Sequence, residues 1–327
     1  MQAEEFEAVF NSVAANVESI LHGKRHAVQL AVVALFADGH LLIEDVPGVG
    51  KTSLAKALAF SIAGDYRRIQ FTPDLLPSDV TGVSVWNRTN SDFEFRRGPV
   101  FASVVLADEI NRASPKTQAA LLEAMEERQV TVDIETHRLP APFMVIATQN
   151  PIELEGTYRL PEAQLDRFMM RINLGYPDRD SEVAILERRG ESHISPESLC
   201  PVAASADIAR WQDQLASVHV ANSIARYIVG LAHATRHHRD LMLGVSPRGA
   251  LALQRCARVL AASVGRDYVV PDDIKTLATS VLGHRIMLNA EAQMRGVTPT
   301  GVISSLVESI PVPEATSASQ AESQPTR

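Results

Sequence analysis

Leu41-Leu42-Ile43-Glu44-Asp45-Val46-Pro47-Gly48-Val49-Gly50-Lys51-Thr52-Ser53 is the stretch on which the reading of the whole chain turns. Three consecutive apolar residues predict a short buried strand, and a helix is expected from about Thr52 to Ala63. Two glycines, Gly48 and Gly50, sit between them. Glycine lets a backbone approach a phosphate with no Cβ in the way and turns its N–H groups inward. The N-terminus of the following helix adds its positive end. Lys51 is then placed to reach the outer phosphates of a nucleotide, and the Thr52 hydroxyl to ligate Mg²⁺. In the pattern GxxxxGK[ST] the first glycine is replaced here by Asp45. That position falls at the end of the strand, before the loop tightens, so the cradle is expected to survive.

Two further strand ends carry matching chemistry. The apolar run Ser103-Val104-Val105-Leu106-Ala107 closes on Asp108-Glu109. Carboxylates at a buried strand tip need a partner, so Asp108 is read as the second holder of Mg²⁺ and Glu109 as the base that polarises an attacking water. Phe143 to Ala147 is a second buried strand, closing on Thr148-Gln149-Asn150-Pro151. A neutral amide such as Asn150 can orient water or bond a phosphate without competing for the metal. Two arginines complete the set of candidates. Arg167, in Leu165-Asp166-Arg167-Phe168, has the fixed fork that suits a developing phosphate charge. Arg248, in Ser246-Pro247-Arg248-Gly249, opens a later helix and is expected to bring that part of the chain down over the outer phosphate.

Strand and helix patterns alternate through the first half, which predicts a parallel sheet covered on both faces. Amphipathic helices are expected at about Phe6–Leu21 and His26–Ala37, a strand at Arg67–Phe71, a helix at Pro115–Glu127 and a last strand at Met169–Asn173. Alternating residues around Val83–Phe95 and Val130–Leu139 predict two hairpins. From Pro177 onward only helical periodicity continues, with helices expected near 181–189, 205–216, 221–233, 247–264 and 271–282. Residues 1–176 are thus read as a nucleotide-binding α/β domain, 177–310 as an all-helical domain and 311–327, small, polar and Pro/Ser-rich, as a disordered tail.

The chain has 327 residues, of which 46% are hydrophobic and 21% charged, enough for about two domains with a buried core. A net charge of −8 disfavours nucleic acid as a partner. No apolar run reaches the length of a membrane span. The acidic start Met1-Gln2-Ala3-Glu4-Glu5 is unlike a secretory signal, and Cys200 and Cys256 lack metal-ligand spacing, so a cytoplasmic location with reduced thiols is expected. His233 and His237 stand four apart on a helix beside His238, without an evident third ligand.

Taken in order, these segments resemble an AAA+ ATPase of the MoxR family, over about residues 20–288. Three stretches are specific: Phe71-Thr-Pro-Asp-Leu-Leu-Pro-Ser-Asp-Val-Thr-Gly82, Leu106-Ala-Asp-Glu-Ile-Asn-Arg-Ala-Ser-Pro-Lys-Thr-Gln-Ala-Ala-Leu-Leu-Glu-Ala-Met125 and Leu160-Pro-Glu-Ala-Gln-Leu-Asp-Arg-Phe168. The resemblance implies a five-stranded parallel sheet of order 5-1-4-3-2, an all-α lid, and ring hexamers with ATP at subunit interfaces. It assigns Asp45, Pro47, Gly48, Val49, Gly50, Lys51, Thr52 and Ser53 to the nucleotide (ATP or ADP), Thr52 and Asp108 to Mg²⁺, and Glu109 to water. It makes Asn150 a first sensor, Arg167 an arginine finger reaching a neighbour and Arg248 a second sensor, and it places His22-Gly23 beside the adenine. The hairpins match the family's helix-2 insert, about 78–98, and pre-sensor hairpin, about 129–140, with Trp86, Phe93 and Phe95 as candidate client contacts unless they pack within their own insert. A von Willebrand factor A-domain partner and a role in client maturation or cofactor insertion are likewise implied by resemblance. The alternatives are a nucleotide-gated scaffold with incidental turnover and a metal-chelatase-like motor subunit.

Overall fold

A computed structural model describes residues 3–151, 157–188 and 195–312. The expected tail falls almost wholly outside the described residues. Five parallel strands form the central sheet: β1 (Leu41–Glu44), β2 (Tyr66–Gln70), β3 (Val104–Asp108), β4 (Met144–Gln149) and β5 (Met170–Ile172). Their spatial order is β2-β3-β4-β1-β5, which is the order 5-1-4-3-2 read from the other edge.

Strand residues alternate between two apolar layers because side chains in a strand point to opposite faces. Leu41, Ile43, Val104, Leu106, Ile146 and Ile172 face one core. Leu42, Ile69, Val105, Ala107, Val145 and Ala147 face the other. The first layer is covered by α1 (Ala3–Glu18), α2 (Arg25–Phe36) and α3 (Lys51–Ser61). The second is covered by α4 (Pro115–Glu127), through Leu121, Leu122 and Met125. Helix α4 begins where the sequence indicates, since Pro115 occupies its first turn and the Ser114 hydroxyl accepts from Thr117 N–H.

The second half is helical, with α5 (Ser205–Leu215), α6 (Asn222–Arg236), α7 (Pro247–Ala262), α8 (Pro271–Leu282) and α9 (Pro299–Ser309). Its apolar faces join the first layer rather than forming a separate core: the ring of Phe6 meets Phe36 at 4.9 Å and Trp211 at 5.4 Å. Two features go beyond the sequence reading. Leu241–Leu243 pairs antiparallel with Met287–Leu288, a small clip within the helical part. Helix α9, capped by Thr298 with Pro299 at its first turn, closes the described chain.

Both hairpins form. Gly82–Asn87 pairs with Asp92–Arg97, and Gln129–Val132 with Glu135–Arg138. The Ser84 hydroxyl donates to Asp133 Oδ2 at 2.8 Å and links them. Phe95 is an internal packing residue, stacked on His137 with centroids 4.1 Å apart. Trp86 and Phe93 touch edge to face at 5.2 Å and still leave half or more of their surface to solvent. No helix among the described residues is long and apolar enough to cross a membrane.

Candidate active site

In a parallel sheet every strand tip of one polarity lies along one edge. The register places Glu44 beside Gln149, Gln70 beside Asp108 and Ala107 beside Ala147. The Asp45–Gly50 loop, Asp108-Glu109 and Asn150 therefore leave the sheet along the same edge, which brings together the residues read as cradle, metal site and first sensor.

The loop has the backbone the cradle needs. Gly48 and Gly50 hold φ of 85° and 101°, the left-handed region that suits glycine. A Cβ on Gly48 would meet nothing within 4 Å, so open space lies in front of it. Lys51, Thr52 and Ser53 form the first turn of α3, half-buried, while Val49 is buried and Pro47 exposed. Lys51 Nζ donates to the Asp45 carbonyl at 2.7 Å and the Val46 carbonyl at 3.3 Å, folded over the loop that it would share with a phosphate.

Asp45 does something the sequence reading did not assign. Its Oδ2 accepts from the N–H groups of Leu174 and Gly175 at 2.7 and 2.6 Å, and its Oδ1 accepts from Val46 N–H at 2.8 Å. The carboxylate is turned to the exit of β5 and away from the cradle. Asp45 is thus a staple between the loop and the sheet edge, a role for its carboxylate that its assignment to the nucleotide loop did not include. The turn at Leu21–Lys24 closes the same side. Leu21 lies 3.4 Å from where a Gly50 Cβ would be, and Lys24 Nζ donates to the Gly175 carbonyl at 2.9 Å. Gly23, at φ 71°, packs so tightly that a Cβ would sit 2.4 Å from Ser181 Oγ. His22, half-buried, stands in this turn.

At the tip of β3, Thr148 organises both acids. Its hydroxyl donates to Asp108 Oδ1 at 2.6 Å and accepts from Glu109 N–H at 2.9 Å. Glu109 adopts φ 57°, a costly left-handed conformation for a residue with a side chain. Arg68 donates to Asp108 Oδ2 from Nη2 at 2.6 Å and Nε at 3.1 Å, so a cation already stands where a metal's charge would be balanced. Glu109 Oε2 accepts from Gln70 Nε2 at 2.8 Å and from Arg112 Nη1 at 2.9 Å. Asn150 is buried at the neighbouring tip. Thr148, Arg68 and Gln70 were missed by sequence reasoning. The one available signal was the spacing of Arg68 and Gln70, which puts them on the same face of β2.

The arginines stand at the other end. Residues 38–40 precede β1, and the Met169 N–H donates to the His40 carbonyl at 2.7 Å, which marks the N-terminal edge of the sheet. Helix α4 leaves the cleft after Ser114 and runs back for 13 residues, about 20 Å at 1.5 Å per residue. Glu126, near its end, meets Arg167 Nε at 2.6 Å and Arg248 Nη1 at 2.7 Å. Helix α4 carries Glu126 to the far edge, so Arg248, read as a second sensor, is held there opposite the cradle. A cavity of about 460 Å³ opens there, lined by five arginines (128, 167, 248, 255 and 285) against Asp38, Glu126 and Asp166. His40 forms part of it. Burial holds the imidazole neutral, pushing its pKa down to about 3. Its Nε2 bonds the Met125 carbonyl at 3.0 Å, and Nδ1 accepts from Val145 N–H at 3.0 Å, which fixes the tautomer.

Other sequence candidates stay apart. His233 and His237 stack at 4.3 Å, and no group of three metal-ligating side chains occurs among the described residues. Cys256 is buried, with its thiol pushed up to about 12, and Cys200 is exposed.

Comparison with known proteins agrees with this geometry. Residues 40–170 match the model of the ATPase family associated with various cellular activities (AAA), and residues 233–306 match that of the AAA lid domain. The chain is 49% identical to the uncharacterised Bacillus subtilis protein YeaC, across 95% of this chain and 97% of that one. It is 40% identical to Chaperone MoxR1 of Mycobacterium tuberculosis, across 91% and 81%. A crystal structure of a candidate ATPase from Cytophaga hutchinsonii superposes with a TM-score of 0.89 at 37% identity, covering 96% of this chain and 97% of that one.

Proposed function

The chain belongs to the MoxR family of AAA+ ATPases, and on that premise we propose that it binds and hydrolyses ATP in the cleft at the C-terminal strand tips and works as a ring whose subunits complete one another's sites. The observation that carries this reading is the division of labour across the sheet. The cradle loop and the two acids share one edge, and Arg167 and Arg248 occupy the other.

The roles follow from the contacts. The Gly48–Gly50 backbone and Lys51 take the phosphates, and Lys51 exchanges two loop carbonyls for phosphate oxygens. Thr52 and Asp108 are the residues that would hold Mg²⁺, whose charge would screen the phosphates; Asp108 already balances the Arg68 cation. Glu109 takes the proton from the attacking water as the bond between the β-bridging oxygen and the outer phosphorus breaks, giving ADP and phosphate. Its bonds from Gln70 and Arg112 both fall on Oε2 and hold the side chain in place, so the resting state is restrained. Asn150 orients that water. Residues 22–24 and 174–176, tied together through Lys24 and Asp45, border the base of the nucleotide. The exposed pair Trp86 and Phe93 supports a client surface on the insert. A hexameric ring, a von Willebrand factor A-domain partner, client maturation and a cytoplasmic location extend the family resemblance to this chain.

A phosphate-release assay run across subunit concentration tests the reading. Turnover per subunit is expected to climb with concentration as neighbours supply Arg167. Glu109→Gln should abolish release while calorimetric ATP binding persists. Parent-like turnover in Glu109→Gln would refute the assignment of the base.

A further inference from the structure

We propose that Glu126 is a positioning residue that sets Arg167 and Arg248 as one phosphate-directed pair, presented by each copy of the chain to the ATP of its neighbour. The inference rests on the assembly reading above and adds the device that aims the arginines.

The arginines lining the cavity fall into two groups by what they hold. Arg285 is almost fully buried. It donates from Nε to Asp166 Oδ1 at 2.7 Å and from Nη2 to the Phe168 carbonyl at 2.6 Å. Arg128 donates from Nη2 to both Asp38 O and Asp38 Oδ1 at 2.8 Å, and Arg255 donates to the Ala37 carbonyl at 2.6 Å. Those three are tied into the backbone and hold the chain around it. Arg167 and Arg248 are different: each meets one oxygen of the same carboxylate, Arg167 through Nε on Oε2 and Arg248 through Nη1 on Oε1. A guanidinium has five N–H donors, so one contact apiece leaves most of both forks to face an incoming anion.

Two like charges do not gather at one point without a counter-charge, and Glu126 supplies it while sparing the donors. The two arginines come from parts of the chain far apart in sequence. Arg167 follows the short helix Glu162–Leu165, and Arg248 lies in the first turn of α7. A second link fixes that turn, since the Ser246 hydroxyl, which caps α7, donates to Asp166 Oδ2 at 3.0 Å. Asp166 therefore anchors the helix, and Glu126 aims what the helix carries. The excess of arginine over carboxylate in the cavity, with His40 uncharged, leaves it cationic and suited to the outer phosphate of a nucleotide bound by another copy.

A mixing experiment separates this role from folding. Arg167→Ala copies keep an intact cleft but lack the finger. Glu109→Gln copies keep the arginines but cannot hydrolyse. Mixed, they should recover turnover at the interfaces where a Glu109→Gln copy serves an Arg167→Ala copy. Adding Glu126→Ala to the serving copy should cut the recovered kcat at least tenfold with KM little changed. The same substitution in the copy being served should leave recovery within about twofold. On the serving copy Glu126→Gln should behave as Glu126→Ala, and Glu126→Asp should restore part of the rate. Equal losses on both sides, or full recovery with Glu126→Ala on the serving side, would overturn the proposal. No recovery in the starting mixture would remove the assembly reading itself, and this proposal with it.

Discussion

Thr148→Val is the sharpest probe of the cleft, because it removes one hydroxyl and almost no volume. Thr148 is about 1% exposed, and its hydroxyl makes two bonds, one donated to the Asp108 carboxylate and one accepted from the Glu109 amide. The first is charge-assisted and contributes roughly 1.5–3 kcal/mol; losing the second leaves a buried N–H unsatisfied at roughly 1–3 kcal/mol. A methyl in place of the hydroxyl recovers about 0.8 kcal/mol by burial. The expected net loss is therefore about 2–5 kcal/mol, read as a lower urea midpoint. The effect on turnover should be larger than that on stability suggests. Glu109 is held at φ 57° with help from this bond, and a non-glycine residue there spends about 1–2 kcal/mol that relaxation would return. A base displaced by about 1 Å costs on the order of a hundredfold in rate, while ATP affinity, set by the loop, should move little. Thr148→Ser keeps the hydroxyl and should keep most of the turnover. If Thr148→Val is as stable and as active as the parent, the argument that this hydroxyl organises the acids is wrong.

Three other outcomes are expected. Asp45→Ala leaves three amides without their acceptor, so stability should fall by about 3 kcal/mol or more; a urea midpoint within error of the parent would refute the staple. Gln70→Ala removes one of the two restraints on Glu109 Oε2, so phosphate release without a partner protein should rise several-fold, whereas a fall would make Gln70 a positioning group. Acid should destabilise the fold through two buried neutral histidines. His40 is pushed down to about 3 by burial and by Arg128, Arg248 and Arg255, and His284 well down by burial and by Arg285 and Arg171. Both lie below their unfolded value, so the unfolded chain binds more protons. Stability is then full above about pH 6.5 and falls below it by roughly 1.4 kcal/mol per pH unit for each histidine. Unfolding midpoints at pH 7 and pH 5 measure this, and equal midpoints would refute it.

Much of this architecture is legible in the sequence because its signals are local. Pro115 and Ser114 mark the start of one helix, Pro271 that of another, and the glycines at 48 and 50 announce a turn. The same kind of signal, Thr298 before Pro299, marks α9 and was passed over. What stayed hidden depends on contacts across distant segments. Thr148 earns its place only when β3 and β4 lie side by side in register. The clip of Leu241–Leu243 on Met287–Leu288 is too short to show a period. Asp45 reads as a flawed glycine until the exit of β5 arrives with two amides to be held.

The placement of Arg248 was hidden for a different reason, and it bears on how the protein works. A sequence gives the order of candidate groups but not the polarity of the sheet that separates them. Strands of four to six residues, at about 3.3 Å per residue, put roughly 13–20 Å between the two edges. An arginine held by Glu126 at one edge stands that far from phosphates at the other. While Arg248 stays on Glu126, it gives the lid no direct grip on the nucleotide of its own chain. Asp166 and Glu126 tie the lid's α7 turn at that end, beside the apolar faces that join the first layer. On the proposed reading a neighbour's phosphate meets the free donors of Arg167 and Arg248 while Glu126 keeps the pair aimed and Asp166 keeps the α7 turn anchored. On that same reading a lone subunit has a loaded cleft and an idle arginine pair, and turnover depends on the contact between copies.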